Sequence, residues 1–349
     1  TPTENFNGSA TLTMTTNDGV GGIDSDTLAM TVSAVNDIPT LTAFTAAVDT
    51  TNEDTAVEVT LSDLLAQGDE ADVDGSGTVT SFVVKAVSSG SLKIGTTEAS
   101  AQAWNASTNA TVDATYKAYW TPVPNANGTL NAFTAVAKDN NGAESSTAIM
   151  ATVTVAAVND APTGTSSTLT ILEDGSKTFT ANDFGFSDAV ENHALQAVII
   201  TTLPTAGTLT LSGVAVSANQ SIALTNLGNL VYTPTANANG NSYATIGFKV
   251  QDAGGSANGG VDTSISANTL TVDVSAVNDA PVLTGPQAIL APGSEDQSYT
   301  VSIANLLQGY TDVDLDTLSV NSVAVHDAAG TNLVGSATLS GSNYTITTK

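Results

Sequence analysis

The sequence has no cysteine, no arginine, two histidines and only 5% aromatic residues. Without cysteine no disulfide can staple the chain, so any extra restraint has to come from packing or a bound metal. Its 7 basic residues are all lysines and face 34 acidic ones, for a net charge of −27. That leaves no basic patch to displace counterions from nucleic acid or to meet anionic lipid, so neither is an expected partner. An acidic chain attracts cations instead. His193 and His326 are too few for a zinc site built on histidine and cysteine. No apolar run approaches the roughly 20 residues of a membrane-spanning helix, and residues 1–7 do not resemble a signal peptide, so no membrane insertion is expected. No serine-nucleophile motif or phosphate loop is present, and the chain reads as no enzyme.

What is present suits strands and turns. The chain is 41% hydrophobic and 12% charged, too apolar for disorder, and rich in Thr, Val, Ser, Asn and Gly. One punctuation mark occurs three times: Val32-Ser-Ala-Val-Asn-Asp-Ile-Pro39, Val155-Ala-Ala-Val-Asn-Asp-Ala-Pro162 and Val274-Ser-Ala-Val-Asn-Asp-Ala-Pro281. From Asp37 to Asp160 is 123 residues and from Asp160 to Asp279 is 119, a period of whole domains rather than of a solenoid. Before each mark the apolar residues alternate, as Leu28/Met30/Val32, Ala151/Val153/Val155 and Leu270/Val272/Val274, the period of a half-buried strand. Asn7-Gly8, Asn127-Gly128 and Asn239-Gly240 mark turns upstream. After them, strands with Leu12/Met14, Phe133/Ala135 and Ile246/Phe248 in phase end at the acidic loops Asp18-Gly19, Asp139-Asn-Asn-Gly142 and Asp252-Ala-Gly254.

Downstream of the marks stand Glu53-Asp54, Glu173-Asp174 and Glu295-Asp296, then Asp72-Val-Asp74-Gly75, Asp188-Ala-Val-Glu191 and Asp312-Val-Asp314-Leu-Asp316. Short strands separated by turn residues fill the intervals, and helical periodicity is confined to single turns at Leu64-Leu65 and Leu306-Leu307. Many short strands with regular turns indicate an all-β sandwich in each repeat. The phase of the marks gives complete repeats at 40–162 and 163–281, the last third of a repeat at 1–39, and the first half of one at 282–349.

The Asn-Asp-x-Pro linker, the Glu-Asp after the first strand, the Asp-x-Asp loop and the Asp loop before the last strand together resemble cadherin-like repeats. More narrowly, they are similar to the repeats of giant bacterial surface adhesins of the repeats-in-toxin type, exported by a type I system. The resemblance implies tandem Greek-key, Ig-like sandwiches in a linear array, calcium between repeats, an extracellular location and a role in adhesion or biofilm formation.

The acids suit that ion on chemical grounds, because Ca²⁺ takes six to eight oxygens from carboxylates, amides and carbonyls with loose geometry. Strand parity then says which acids meet. If a linker sits at the top of its repeat, the first strand runs down and Glu-Asp turns at the bottom. The next strand returns Asp-x-Asp to the top, and the loop before the last strand is there too. The expected sets are Asn36, Asp37, Asp72, Asp74 and Asp139 at the first linker. At the second they are Glu53, Asp54, Asn159, Asp160, Asp188, Glu191 and Asp252. At the third they are Glu173, Asp174, Asn278, Asp279, Asp312, Asp314 and Asp316. Each acid taken singly is an ordinary turn former; the recurrence of four acidic elements at matching places is what points to metal. Repeat 163–281 departs from the pattern where Asp188-Ala-Val-Glu-Asn-His193 replaces Asp-x-Asp.

Three readings of the whole follow. The chain is a calcium-stiffened extender whose partners are neighbouring repeats. Alternatively it is a subunit joining copies of itself head to tail, since the partial end pieces together hold 107 residues, close to one period. Or a repeat itself binds a glycan or protein ligand, for which the sequence shows no convergent aromatic and polar cluster; Trp120 in Tyr119-Trp-Thr-Pro122 aligns with Tyr232 and reads as core.

Overall fold

Period-2 alternation turns into facing sheets in both complete repeats. The computed structural model describes residues 1–74, 79–294 and 296–348; Gly75 of the first Asp-x-Asp loop and Glu295 of the third Glu-Asp pair lie outside the described residues. Two compact units divide the chain: Thr1–Ala161 with Ala189–Asn192 and Gly254–Asp262, and Pro162–Asp188 with His193–Ala253 and Thr263–Lys349.

In the first unit, strands Asp49–Asn52, Ile149–Ala156, Gly128–Asp139, Val79–Val87 and Thr111–Asp113 form one sheet in that spatial order. Val57–Val59, Lys117–Thr121, Ser91–Gly95 and Gln102–Ala103 form the other. The first and last strands, Asp49–Asn52 and Ile149–Ala156, are parallel neighbours, while the other pairs are antiparallel, which closes a Greek-key sandwich. Between the sheets lie Val57, Val59, Leu92, Ile94 and Trp120 from one side and Phe82, Val84, Phe133, Ala135 and Val153 from the other. Trp120 is fully buried and its indole N–H donates to Ser89 O at 2.8 Å, so the ring adds apolar contact without stranding a donor. Thr60 and Asp63 cap the short helix Leu61–Gln67 reciprocally. The hairpin Gly8–Asn17/Ile23–Val32 is a sheet of its own with Leu12 opposite Leu28. Its alternation led us to expect half-buried side chains, but Leu12, Met14, Leu28 and Met30 are exposed, because no second sheet among the described residues covers them.

The second unit repeats the design. Ser167–Leu172, Asn268–Ser275, Gly240–Asp252, Leu195–Thr202 and Gln220–Ala223 form the five-stranded sheet, again with first and last strands parallel. Lys177–Thr178, Leu230–Thr233, Thr208–Leu211 and Val214–Ala215 form the facing one. Tyr232 takes the place of Trp120 and donates its hydroxyl to Ala206 O at 2.9 Å. Gly90 and Gly207, at φ +67° and +75°, lie just past those two acceptor carbonyls; a Cβ on Gly90 would stand 2.1 Å from Thr121 O. Toward the C-terminus Tyr299–Ser302, Asn343–Thr348 and Val334–Ser340 make a three-stranded sheet around Val301, Tyr344 and Ile346. The helix Ile303–Leu307 precedes strand Tyr310–Thr311, which pairs with Val282–Leu283. No helix among the described residues is long and apolar enough to cross a membrane, which says nothing of a β-barrel.

Candidate metal centres at the linkers

Parallel pairing of the first and last strands decides where the Glu of each repeat goes. Asn52 aligns with Ala156 and Leu172 with Ser275, so the next residue reaches the start of the following linker. Glu53 N–H donates to Ala156 O at 3.0 Å, and Glu173 N–H to Ser275 O at 2.9 Å. Their carboxylates then accept linker amides: Glu53 Oε1 from Val158 N–H, and Glu173 Oε1 from Val277 N–H at 2.6 Å. Both side chains are buried, at 4% and 3% exposure. Glu53 thus stands at the linker that ends its own repeat and not at Asp37, the placement that strand parity demands.

The Asp after each Glu has a different task. Asp54 and Asp174 take left-handed backbone, φ +58° and +59°, which Asp and Asn tolerate better than most residues. Their carboxylates accept Asn125 N–H at 3.1 Å and Asn237 N–H at 3.0 Å. They are exposed turn builders that pin the neighbouring Asn turn under the Glu. In that turn lies a residue the sequence reading took only for a turn: Asn239 donates its amide to Glu173 Oε2 at 2.9 Å. The pairing of Asn-x-Asn-Gly with Glu-Asp was the available signal.

The opposite pole is built as consistently. Asp37 N–H donates to Asp74 Oδ2 at 2.7 Å and Asp279 N–H to Asp314 Oδ2 at 2.6 Å. Asp72 and Asp312 hold those loops by accepting Asp74 N–H at 3.0 Å and Asp314 N–H at 2.9 Å. In the divergent repeat Asp160 N–H reaches Glu191 Oε2 at 3.3 Å, so Glu191 fills the position of Asp74 and Asp314 with a longer side chain. Asp139 accepts the Asn36 amide at 2.8 Å, and Asn141, unremarked in the sequence, donates to Asn36 Oδ1. Asn278 turns its amide to Asp279 O at 3.1 Å. Asn159 is buried and donates to Val261 O at 2.8 Å, while Val261 N–H returns a bond to Asn159 O at 2.8 Å. In the second unit Asp188 Oδ2 accepts His193 N–H at 2.8 Å and Asp252 is fully buried. Asp316 is exposed, and it meets the loop through its own N–H to Asp312 Oδ1 at 3.4 Å.

The electrostatics of two linkers differ. The Asn36 amide hydrogen bond holds the Asp139 carboxyl below its ordinary value, helped by loop N–H groups. Burial, and then the charges of Asp174, Asp314, Glu173 and Asp312, push Asp279 up. Glu173, Asp279 and Asp314 bring carboxylate oxygens within 4.8 Å of one another. Among the described residues Glu53 Oε2, Asp72 Oδ2 and Asp279 Oδ2, one at each linker, are buried with no hydrogen-bond partner, as is Glu70 Oε2 away from them. Buried carboxylate oxygens are ordinarily satisfied, and the three at the linkers belong to a donor set made of oxygen alone, which suits a hard cation.

Residues 277–345 match the family model of the cadherin-like domain. A comparison with curated proteins finds no match. Among solved structures the chain is similar to the extracellular cadherin domains 1–5 of protocadherin gamma B2, at 17% identity over 78% of this chain and 47% of that one, with a TM-score of 0.43. It is similar also to EC22–24 of mouse cadherin-23, at 16% identity over 77% and 74%, with a TM-score of 0.39. EC1–2 of human mucin-like protocadherin gives 14% identity over 68% and 98%, with a TM-score of 0.33. The chain spans less than half the length of the gamma B2 and gamma B4 protocadherin structures, 47% and 41%. The sheet order defines an all-β chain of tandem sandwiches, with the cadherin-like match at 277–345.

Proposed function

We propose that this chain is a calcium-stiffened extender segment of a large extracellular adhesin, spacing a binding tip from a bacterial surface in adhesion or biofilm formation. In this reading its complete domains are 40–162 and 163–281. The observation that carries it is the set of buried, unpartnered carboxylate oxygens at the linkers. At 36–37 the ligands are Asn36, Asp37, Asp72, Asp74 and Asp139. At 159–160 they include Glu53, Asn159, Asp160 and Glu191, and at 278–279 Glu173, Asn278, Asp279, Asp312 and Asp314. Asp54 and Asp174 support them from the turn. Bound there, Ca²⁺ supplies positive charge where carboxylates crowd, so each linker becomes a fixed joint. Affinity of about 10⁻⁴–10⁻³ M is expected for an extracellular module.

Calorimetric titration with calcium, paired with small-angle scattering in calcium and in chelator, tests this. Saturable binding and a maximum dimension that changes on chelation are expected; no binding, or an unchanged dimension, overturns it. Growth of the particle with concentration would move the reading to head-to-tail assembly.

A further inference from the structure

The five-stranded sheet of the first sandwich carries a second, smaller apolar cluster. Phe82 and Val84 face the main core, so alternation turns Val83 outward. Val83 pairs directly with Val136, and the two form a cluster with Ala110 against which Trp104 packs. The segment that covers this patch is the long connection between Ser91–Gly95 and Lys117–Thr121. It adds Gln102–Ala103 to the edge of one sheet and Thr111–Asp113 to the edge of the other. Trp104 fastens it, its indole N–H donating to Val84 O at 3.2 Å. Asn109 stiffens it by donating to Gln102 O at 3.0 Å and Ala103 O at 3.2 Å. Asn105 Oδ1 accepts Ser107 N–H at 3.0 Å and Thr108 N–H at 3.2 Å.

Between this connection and the sheet lies a groove of about 800 Å³, floored by Val83 and Ala110, within the usual range for small-ligand sites. Its rim carries the side chains of Asn105, Ser107, Thr108, Tyr116 and Lys138. Among the described residues the Asn105 amide nitrogen, the Ser107, Thr108 and Tyr116 hydroxyls and the Lys138 ammonium have no hydrogen-bond partner. Tyr116 is 47% exposed, leaving much of its ring free. Lys85 and Glu144 also line the groove and pair with each other at 2.5 Å; Glu144 is also the residue opposite Lys138 across the strands, and with two lysines against one glutamate the lining keeps one positive charge in excess. In a chain of net charge −27 with no arginine, this is a local excess of positive charge beside a preorganised set of hydroxyl and amide donors.

We propose that this groove binds a carboxylated saccharide, a uronate-type sugar unit. Its carboxylate pairs with Lys138, a pyranose face lies on the Tyr116 ring, and its hydroxyls meet Asn105, Ser107 and Thr108. One free cation matches a ligand bearing one charge per ring and falls short of what a polyphosphate requires. The hydrogen bonds that hold the turn from Asn105 to Asn109 limit the backbone ordering cost of binding. Lys138 adjoins Asp139 at the end of one strand, but successive side chains of a strand face opposite ways and Lys138 lines the groove, so the proposal does not require calcium at the linker.

The test is calorimetric titration of the whole chain with tri-galacturonate, its neutral methyl ester and tri-glutamate, each in chelator and in calcium. Millimolar binding of tri-galacturonate in chelator is expected. Lys138→Gln should weaken it roughly two- to fivefold, as loss of a solvent-accessible ion pair does, and leave the ester unchanged. Tyr116→Ala should weaken both sugars. Both residues lie on the groove rim, and unchanged tryptophan fluorescence would verify folding. Equal binding of acid and ester, an unaffected Lys138→Gln, binding seen only with calcium, or tri-glutamate binding as well as the sugar would each overturn the proposal.

Discussion

Glu53→Gln should stabilise the first sandwich in chelator and lose most of that gain when calcium is present. The carboxylate is 4% exposed, Oε1 accepts Val158 N–H, and Oε2 has no partner. Glutamine keeps an acceptor for Val158 and removes the buried charge. The amide nitrogen that replaces Oε2 is left just as unpartnered, so what the variant gains in chelator is relief of a buried carboxylate charge with no cation beside it, roughly 1–2 kcal/mol. For a repeat of this size that is a rise of roughly 3–8 °C in Tm. With calcium at about 100 times Kd, ligation adds about 2.7 kcal/mol to the parent. A tenfold weaker site in the variant surrenders about 1.3 kcal/mol of that, so most of the advantage should disappear. Both tryptophans of the chain, Trp104 and Trp120, lie in this one sandwich, so a fluorescence melt reads this repeat alone. Destabilisation in chelator, or an identical calcium increment in parent and variant, would refute the reasoning.

Asn239→Ala removes the donor to Glu173 Oε2. Hydrogen exchange at Val277, whose N–H that glutamate accepts, should quicken, with a loss of about 1–2 kcal/mol in local protection. Gly90→Ala should destabilise the first sandwich by about 2 kcal/mol or more, through positive φ and the clash with Thr121 O, read as an earlier fluorescence transition. Asp69 is held down to about 2 by the Thr42 hydroxyl, with the Thr42 and Ala43 N–H groups adding to it. A depressed folded pKa stabilises above the unfolded value and is lost as pH falls through the folded one. Asp69→Asn should therefore flatten the acid titration between about pH 4 and pH 2, measured by the same fluorescence; an unchanged profile would discount the Thr42 contact.

Much of this was legible because two periodicities coincide. Alternation in Ala151/Val153/Val155 and Leu270/Val272/Val274 placed the strands Ile149–Ala156 and Asn268–Ser275 where they stand, and the parity of strands between turns carried Glu53 to the far linker. Side-chain choice within a turn was less legible. Glu-Asp looks like two equal ligands, yet the two differ: the Glu accepts linker amides, while the left-handed backbone at Asp54 and Asp174 lets one oxygen of the second carboxylate accept an N–H of the Asn turn, with the charge of Asp174 still felt at Asp279. Glu191 was legible as an acid but not as the stand-in for Asp74, because equivalence there depends on reach rather than on spacing. The groove was invisible: Val83, Thr108, Tyr116 and Lys138 are spread over three segments that converge only when the long connection folds across both sheet edges.

The parallel pairing of first and last strands has a mechanical consequence. The chain enters each sandwich along one of these strands and leaves along the other, both pointing the same way. A pull on the two ends therefore loads their ladder in shear, so that its hydrogen bonds must yield together instead of unzipping singly, and the rupture rate is set by the barrier to unfolding. The first sandwich aligns four residue pairs in this ladder, from Val153 with Asp49 to Ala156 with Asn52. The second aligns six, from Ser167 with Leu270 to Leu172 with Ser275. Under a steadily rising load the shorter ladder gives way first, making the first sandwich the fuse of the pair and the second the element that still holds after it has opened.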